Sequence, residues 1–221
     1  MKRLIPLAMS LAIATHGALA ADMTDEQKTL YALGQMLASQ TTVFRLSADE
    51  ITHVQKGWRD ATLKTKSAVD VAQYAPKVNA LAQSRAEQTA REESEKGKKL
   101  LATAAAEKGA VKAASGFIYL PLVVGKGAKP AATDTVRVHY RGTLPDGTEF
   151  DSSYSRNEPT EFPLNRVIKC WTEGVAMMKV GGKAKLTCPA DTAYGNQSPS
   201  PLIKPGATLL FEIELLEVKG K

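Results

Sequence analysis

Hydrophobic positions recur at helical spacing through the first part of the chain. Leu30, Leu33 and Leu37 share one helix face, and Ile51, Val54 and Trp58 share another. Thr24 with Gln27, Ser47 with Glu50, and Ser67 with Asp70 each read as a capping-box helix start. Residues 24–74 are therefore expected to form short helices with narrow apolar stripes. A segment of this size buries too little surface to stand alone. A shared core with a second copy is the expected remedy, and docking on the rest of the same chain is the alternative.

The pattern changes from Pro76 to about Glu107, where Ala, Glu, Lys, Gln and Arg dominate. These are strong helix formers. Glu87 and Arg91, Glu92 and Lys96, and Glu95 and Lys99 sit at the favourable i,i+4 spacing. Large apolar residues are sparse between Leu81 and Leu100, which predicts a long helix, polar all round, bridging domains through solvent. At 1.5 Å per residue, about thirty residues span roughly 45 Å, the length of a spacer arm. Pro76 either opens this helix or kinks it.

A period of two takes over from Phe117. Residues 117–124 are rich in β-branched and aromatic types, and Val136, Val138 and Tyr140 alternate with Arg137, His139 and Arg141. Pro145-Asp146-Gly147-Thr148 is a tight turn leading into Glu149-Phe150-Asp151. Residues 171–178 read as one short helix and 183–187 as a strand. Leu209, Phe211, Ile213 and Leu215 alternate near the C-terminus. The pattern predicts an α+β chain: an all-α N-terminal domain, a long connecting helix, and a curved antiparallel sheet wrapped on one short helix.

Charge and composition change this picture mainly at the N-terminus. The 221 residues carry 29 Lys+Arg against 23 Asp+Glu, a net +6. Lys2 and Arg3 precede an apolar run over residues 4–14, and Ala18-Leu19-Ala20 is a small-residue cleavage site, the three parts of an export signal. The run is too short for a transmembrane helix, and no cysteine follows it to carry a lipid. Cleavage is expected after Ala20, the alternative being a retained amphipathic or buried helix. The mature net charge would then be +4, with Lys2 and Arg3 removed. The product is expected to work outside the cytoplasm with no integral membrane segment. Nucleic acid is not an expected partner: glutamates interleave Lys96, Lys98 and Lys99, and no stacking aromatics accompany them.

The usual hydrolase and nucleotide motifs are absent from the sequence: GxSxG, HExxH, a Walker loop and GxGxxG. The alternation places His139 on an exposed face. Three scattered histidines and two cysteines without a CxxC pair give no metal site, and no cofactor is expected. What remains is a set of aromatics, Tyr140, Phe150, Phe162, Trp171, Tyr194 and Phe211, which composition alone reads as core.

Their ordered context says more. Val138-His139-Tyr140-Arg141-Gly142-Thr143-Leu144 and then Asp146-Gly147-Thr148-Glu149-Phe150-Asp151-Ser152-Ser153 resemble the opening of the FKBP-type peptidyl-prolyl cis-trans isomerase domain. The resemblance continues through Val167-Ile168, Trp171-Thr172-Glu173-Gly174-Val175, Val180-Gly181-Gly182 and Ala193-Tyr194-Gly195, and closes with the run from Pro205 to Leu216. It spans about Ser115 to Val218. The helical part, with Tyr31-Ala32-Leu33-Gly34, more loosely resembles the dimerisation region of the FkpA and Mip group of bacterial envelope isomerases.

Together the residue patterns and the resemblance divide the chain into residues 1–20 as a signal peptide, 21–75 as a helical dimerisation domain, 76–114 as a spacer helix and linker, and 115–221 as the isomerase domain. The resemblance implies a shallow proline pocket floored by Trp171 and walled by Tyr140, Phe150, Phe162, Val167, Ile168 and Phe211. Asp151, Tyr194 and the Ile168 N–H would supply polar contacts, with Arg156 holding Asp151. Leu202 and Ile203 would lie on a loop over one rim. In the family fold positions 170 and 188 approach one another, which implies a Cys170–Cys188 disulfide, with two buried free thiols as the alternative. Implied partners are unfolded or proline-containing polypeptide clients, a second copy through the N-terminal helices in a V-shaped homodimer, and FK506-like macrolides. The implied location is the periplasm, with outer-membrane association or secretion left open. The alternative function is a non-enzymatic holdase that uses the pocket only to dock clients.

Overall fold

The computed structural model describes residues 23–219; the expected leader lies outside them. The chain divides into two compact units between Thr42 and Val43. In the first, helix α1 (Asp25–Ser39) opens with a capping box in which Thr24 and Gln27 satisfy each other's backbone N–H groups. None of its residues is buried, and Leu30, Leu33 and Leu37 are all exposed.

The second unit begins with α2 (Ala48–Thr62), whose Ser47–Glu50 capping box matches the expected start. It too buries no residue, so Ile51, Val54 and Trp58 stand exposed. The next helix, α3 (Val71–Ala105), departs from expectation in three ways. Its N-cap is Asp70, whose carboxylate accepts from the Ala72 and Gln73 N–H groups, so no capping box forms at Ser67. Pro76 lies inside the helix beyond its first turn, so of the two roles expected for it the opening one is excluded. The second half is not solvated all round: Thr89, Ala90, Gly97 and Ala104 are buried. Small residues allow close approach while adding little to an apolar pattern, which is why large-residue spacing misses this face. Arg85 of α3 donates to both Glu50 carboxylate oxygens and to the Phe44 carbonyl, and Arg45 lies 2.9 Å from Glu92, tying the start of the unit to the long helix.

Seven strands follow: β1 (Val111–Lys112), β2 (Ile118–Val123), β3 (Thr135–Thr143), β4 (Glu149–Ser152), β5 (Thr160–Pro163), β6 (Lys183–Cys188) and β7 (Leu209–Lys219). Their order in one antiparallel sheet is β1-β2-β6-β7-β3-β4, with β5 also paired to β3. Alternation sets the inner face: Val136, Val138 and Tyr140 of β3 are buried, as are Leu209, Phe211, Ile213 and Leu215 of β7. Pro121, which has no N–H for a ladder bond, sits where the β2–β6 register shifts. The concave face packs on α4 (Lys169–Val175), whose Cys170, Trp171, Gly174 and Val175 are buried. This helix starts and ends earlier than expected, with Ile168 at its N-cap and Ala176 at its C-cap. Among the described residues no helix is long and apolar enough to cross a membrane.

Candidate active site

The pocket is built by the β3–β4 hairpin, the turn before β5, the start of α4 and the segment preceding β7. Asp146 accepts from the Thr148 N–H at 2.9 Å and Gly147 takes φ +86°, which turns β3 back into β4. Gly142 then pairs with Asp151, while the fully buried Ser153 accepts from the Tyr140 N–H at 2.8 Å and locks the strands together. As a result the Tyr140 hydroxyl donates to Asp151 Oδ2 at 2.5 Å. The turn through Asn157, held by its N–H to the Tyr154 carbonyl at 3.0 Å, carries Arg156 back over this pair. Its guanidinium donates to Asp151 Oδ1 at 2.7 Å and to the Tyr140 hydroxyl at 2.9 Å.

A cavity of about 290 Å³ opens on this network. It is lined by Tyr140, Phe150, Asp151, Phe162, Arg166, Val167, Ile168, Trp171, Tyr194 and Phe211. Trp171 is the centre of the aromatic cluster: Tyr140, Phe162 and Phe211 stand edge-on to it with centroids 5.2–5.4 Å away. Phe150 meets Phe211 at 88° and 5.6 Å. These are the arrangements ring quadrupoles favour. Trp171 Nε1 is buried without a hydrogen-bond partner among the described residues. Ile168 caps α4, so its N–H is not spent inside the helix.

Of the expected site residues, the structure gathers nine around the cavity, and Arg156 joins through Asp151 and Tyr140. Leu202 and Ile203 are placed elsewhere. Leu202 lines a separate groove with Glu93, Lys96, Pro145 and Lys204, and Ile203 is buried in the core. Ser198 accounts for part of this by donating to the Ile203 carbonyl at 2.7 Å and turning the loop inward. Arg166, not anticipated, lines the cavity from the short turn before Val167. Its signal in the sequence is only its place beside Val167 and Ile168. His139 is half-buried rather than exposed, stacked on Tyr154 at 4.7 Å with Nδ1 3.0 Å from Ser153 Oγ. It lines none of this cavity.

Burial alone would raise the Asp151 pKa, but the bonds from Tyr140 and Arg156 outweigh it and hold the carboxyl below its ordinary value. Burial and the Asp151 charge push the Tyr140 phenol up, and Tyr194 shifts the same way for the same reasons. Arg156 is raised by its bonds to Asp151 and Tyr140. At neutral pH the Tyr140–Asp151–Arg156 network and Tyr194 thus present one carboxylate, one guanidinium and two neutral phenols beside the aromatic hollow, which Arg166 also lines. Beneath it Cys170 and Cys188 form a disulfide, Cα atoms 5.8 Å apart, joining α4 to the end of β6. Among the described residues no His/Cys/Asp/Glu group is arranged to hold a metal.

The model of the FKBP-type peptidyl-prolyl cis-trans isomerase matches residues 126–216, and that of the domain amino-terminal to such isomerases matches 26–120. The chain is 38% identical over 212 residues to the FKBP-type peptidyl-prolyl cis-trans isomerase FkpA of Escherichia coli K12, covering 90% of this chain and 78% of that protein. A probable FKBP-type isomerase of Haemophilus influenzae is 35% identical, with 89% and 87% covered. The crystal structure of FkpA from Escherichia coli superposes with a TM-score of 0.67 at 37% identity, covering 89% of this chain and 97% of that one. Two family models in tandem, and relatives matched over most of their length, have one reading: the chain belongs to the FKBP-type peptidyl-prolyl cis-trans isomerases.

Proposed function

We propose that the 290 Å³ aromatic cavity binds the proline ring of a polypeptide and speeds rotation about the preceding peptide bond. The observation that carries the reading is the joining of a Trp171-centred aromatic hollow to a single polar edge, Tyr140–Asp151–Arg156. Rotation of an X–Pro bond must pass a barrier of about 18–20 kcal/mol, because amide resonance holds it planar. The twisted state loses that resonance, its carbonyl oxygen carries less charge, and its nitrogen becomes more basic. A dry aromatic wall therefore favours the twisted form over the planar one. Ile168 N–H anchors the backbone beside the proline, and Asp151 and Tyr194 orient the peptide on the polar edge. Each 1.4 kcal/mol or so gained this way is about tenfold in rate, so no nucleophile is needed.

The exposed apolar faces of α1 and α2 support a homodimer formed through the N-terminal helices. With the leader features in the sequence, they support a folding helper acting on unfolded, proline-containing clients in the periplasm, where slow X–Pro isomerisation delays exported chains. The same exposed faces favour a second activity, client holding independent of the pocket. Isomerisation of an Ala-Pro peptide by the mature chain, with and without FK506, tests the first reading. If Tyr194→Phe, Asp151→Leu and Trp171→Leu variants stay folded and all keep wild-type rates, the pocket assignment is wrong. Aggregation suppression that survives in an inactive Trp171→Leu variant would mark holding as separate from isomerisation.

A further inference from the structure

The second half of α3 is seated on the segment that leads into β7. A Cβ at Gly97 would overlap Thr208 Oγ1, itself buried. Gly206, at φ +76°, lies so close to the helix that a Cβ there would fall 2.5 Å from the Ala90 carbonyl oxygen. Lys204 Nζ lies 3.9 Å from Glu93 Oε1. Ala90, Glu93 and Gly97 are three and four residues apart, so one helix face makes all three contacts.

From this seat the path to the pocket is short. The Gly206 N–H donates to the Gly195 carbonyl at 2.9 Å, and Gly195 follows Tyr194 directly. Thr208 stands three residues before Phe211. Tyr194 and Phe211 both line the cavity. Residues 193–208 hold no helix or strand, so their placement depends on individual anchors: these contacts, the Gly195 N–H to the Ala190 carbonyl, and the buried Ile203 and Ala207.

We propose that Ala90 and Gly97 of the long helix are positioning residues for the isomerase pocket, holding Gly206 and Thr208 so that Tyr194 and Phe211 stay in place to receive the peptide. The helix then belongs to the scaffold of the site as well as linking it to the N-terminal helices. Loosening the seat frees the Tyr194 rim, and each client must re-order it on binding, which weakens affinity more than it slows the bound step. The inference rests on the isomerase reading above.

The test uses the full mature chain. NMR exchange on a series of X-Pro peptides gives kcat and KM for wild type, Gly97→Ala, Thr208→Ala and the double variant. Gly97→Ala is expected to raise KM about three- to tenfold with kcat within about twofold, and to shift the Tyr194, Gly195 and Gly206 amide resonances. Adding Thr208→Ala removes the atom a Cβ would meet, and should restore KM. Lys204→Glu, an exposed change facing Glu93, should raise KM by a smaller factor and keeps the test open if Gly97→Ala unfolds. Wild-type KM and unshifted amides in folded Gly97→Ala would overturn the proposal. So would a lowered Tm without change in KM, or failure of Thr208→Ala to rescue alongside an inert Lys204→Glu. A wild-type chain that isomerises none of the peptides would instead sink the isomerase reading, and this inference with it.

Discussion

The chain has two tryptophans, and they live under opposite rules. Trp171 is 4% exposed at the base of the candidate pocket, ringed by three aromatic side chains, whereas Trp58 on α2 is 59% exposed. The contrast extends to their surroundings. The sheet domain buries its apolar face within its own chain, while α1 and α2 bury none of their residues. Apolar side chains that cost free energy in water persist where something else covers them. One region has its aromatic hollow already formed; the other leaves its large apolar side chains facing outward.

The contrast breaks hardest at Trp171. Trp171→Leu removes the ring that Tyr140, Phe162 and Phe211 pack against, and should lower kcat/KM toward an X-Pro peptide by tenfold or more, about 1.4 kcal/mol or above in transition-state binding. Asp151→Leu, which leaves Arg156 without its carboxylate partner, should act in the same direction, and both are read by peptide isomerisation.

A second break, in stability rather than activity, is the staple beneath the pocket. The Cys170→Ala/Cys188→Ala pair opens a link spanning 18 residues. It should cost about 3 kcal/mol of unfolding free energy, read as a lower chemical-denaturation midpoint. Dimer formation should not change. If the two regions are as separate in energy as in burial, the mirror experiment holds. Trp58→Ser with Leu33→Ser should convert a dimer to monomers in sedimentation while moving peptide kcat/KM by no more than about twofold. A large loss of kcat/KM in that variant would show the regions to be coupled.

Acid should produce the smallest effect and reach both regions by the same device, a carboxylate held by arginine. The Arg85 bond, helped by the Ser47 N–H, lowers Glu50 from 4.5 to about 2. A depressed folded pKa means that its stabilisation is fully present above the unfolded value and fades as pH falls toward the folded one. The α2–α3 tie should therefore hold at pH 5 and weaken between about 4.5 and 2, visible in tryptophan fluorescence from Trp58. Asp151 is also lowered, so peptide isomerisation should stay level through neutral and mildly acidic pH and decline only below the ordinary carboxylate range.

The parts legible in the sequence are those written in large residues. Val136, Val138 and Tyr140 declare β3 because a period of two forces them to one face, and the fold class follows from such runs. Ordered aromatic motifs made the family resemblance readable as well. The face of α3 formed by Ala90, Gly97 and Ala104 leaves no apolar signal in the sequence because what matters there is absence: a Cβ at Gly97 or a longer side chain would hold the sheet domain away. Leu202 and Ile203 illustrate a different limit. Their loop contains Pro199 and Pro201, and its inward turn depends on a Ser198 bond that no periodicity encodes. Arg166 reaches the cavity from a single 3₁₀ turn, too short to leave any pattern.

The place of β7 in the sheet has a consequence for how the molecule comes into being. It pairs with β6 on one side and β3 on the other, yet it follows all six other strands in chain order. Until it is made, β1-β2-β6 and β3-β4-β5 are two fragments with no ladder between them. Phe211, on β7, would also be missing from the hollow around Trp171. The domain therefore cannot close strand by strand as it is synthesised. It must remain open until nearly the whole sequence is available, and then join its two halves in one late, long-range step.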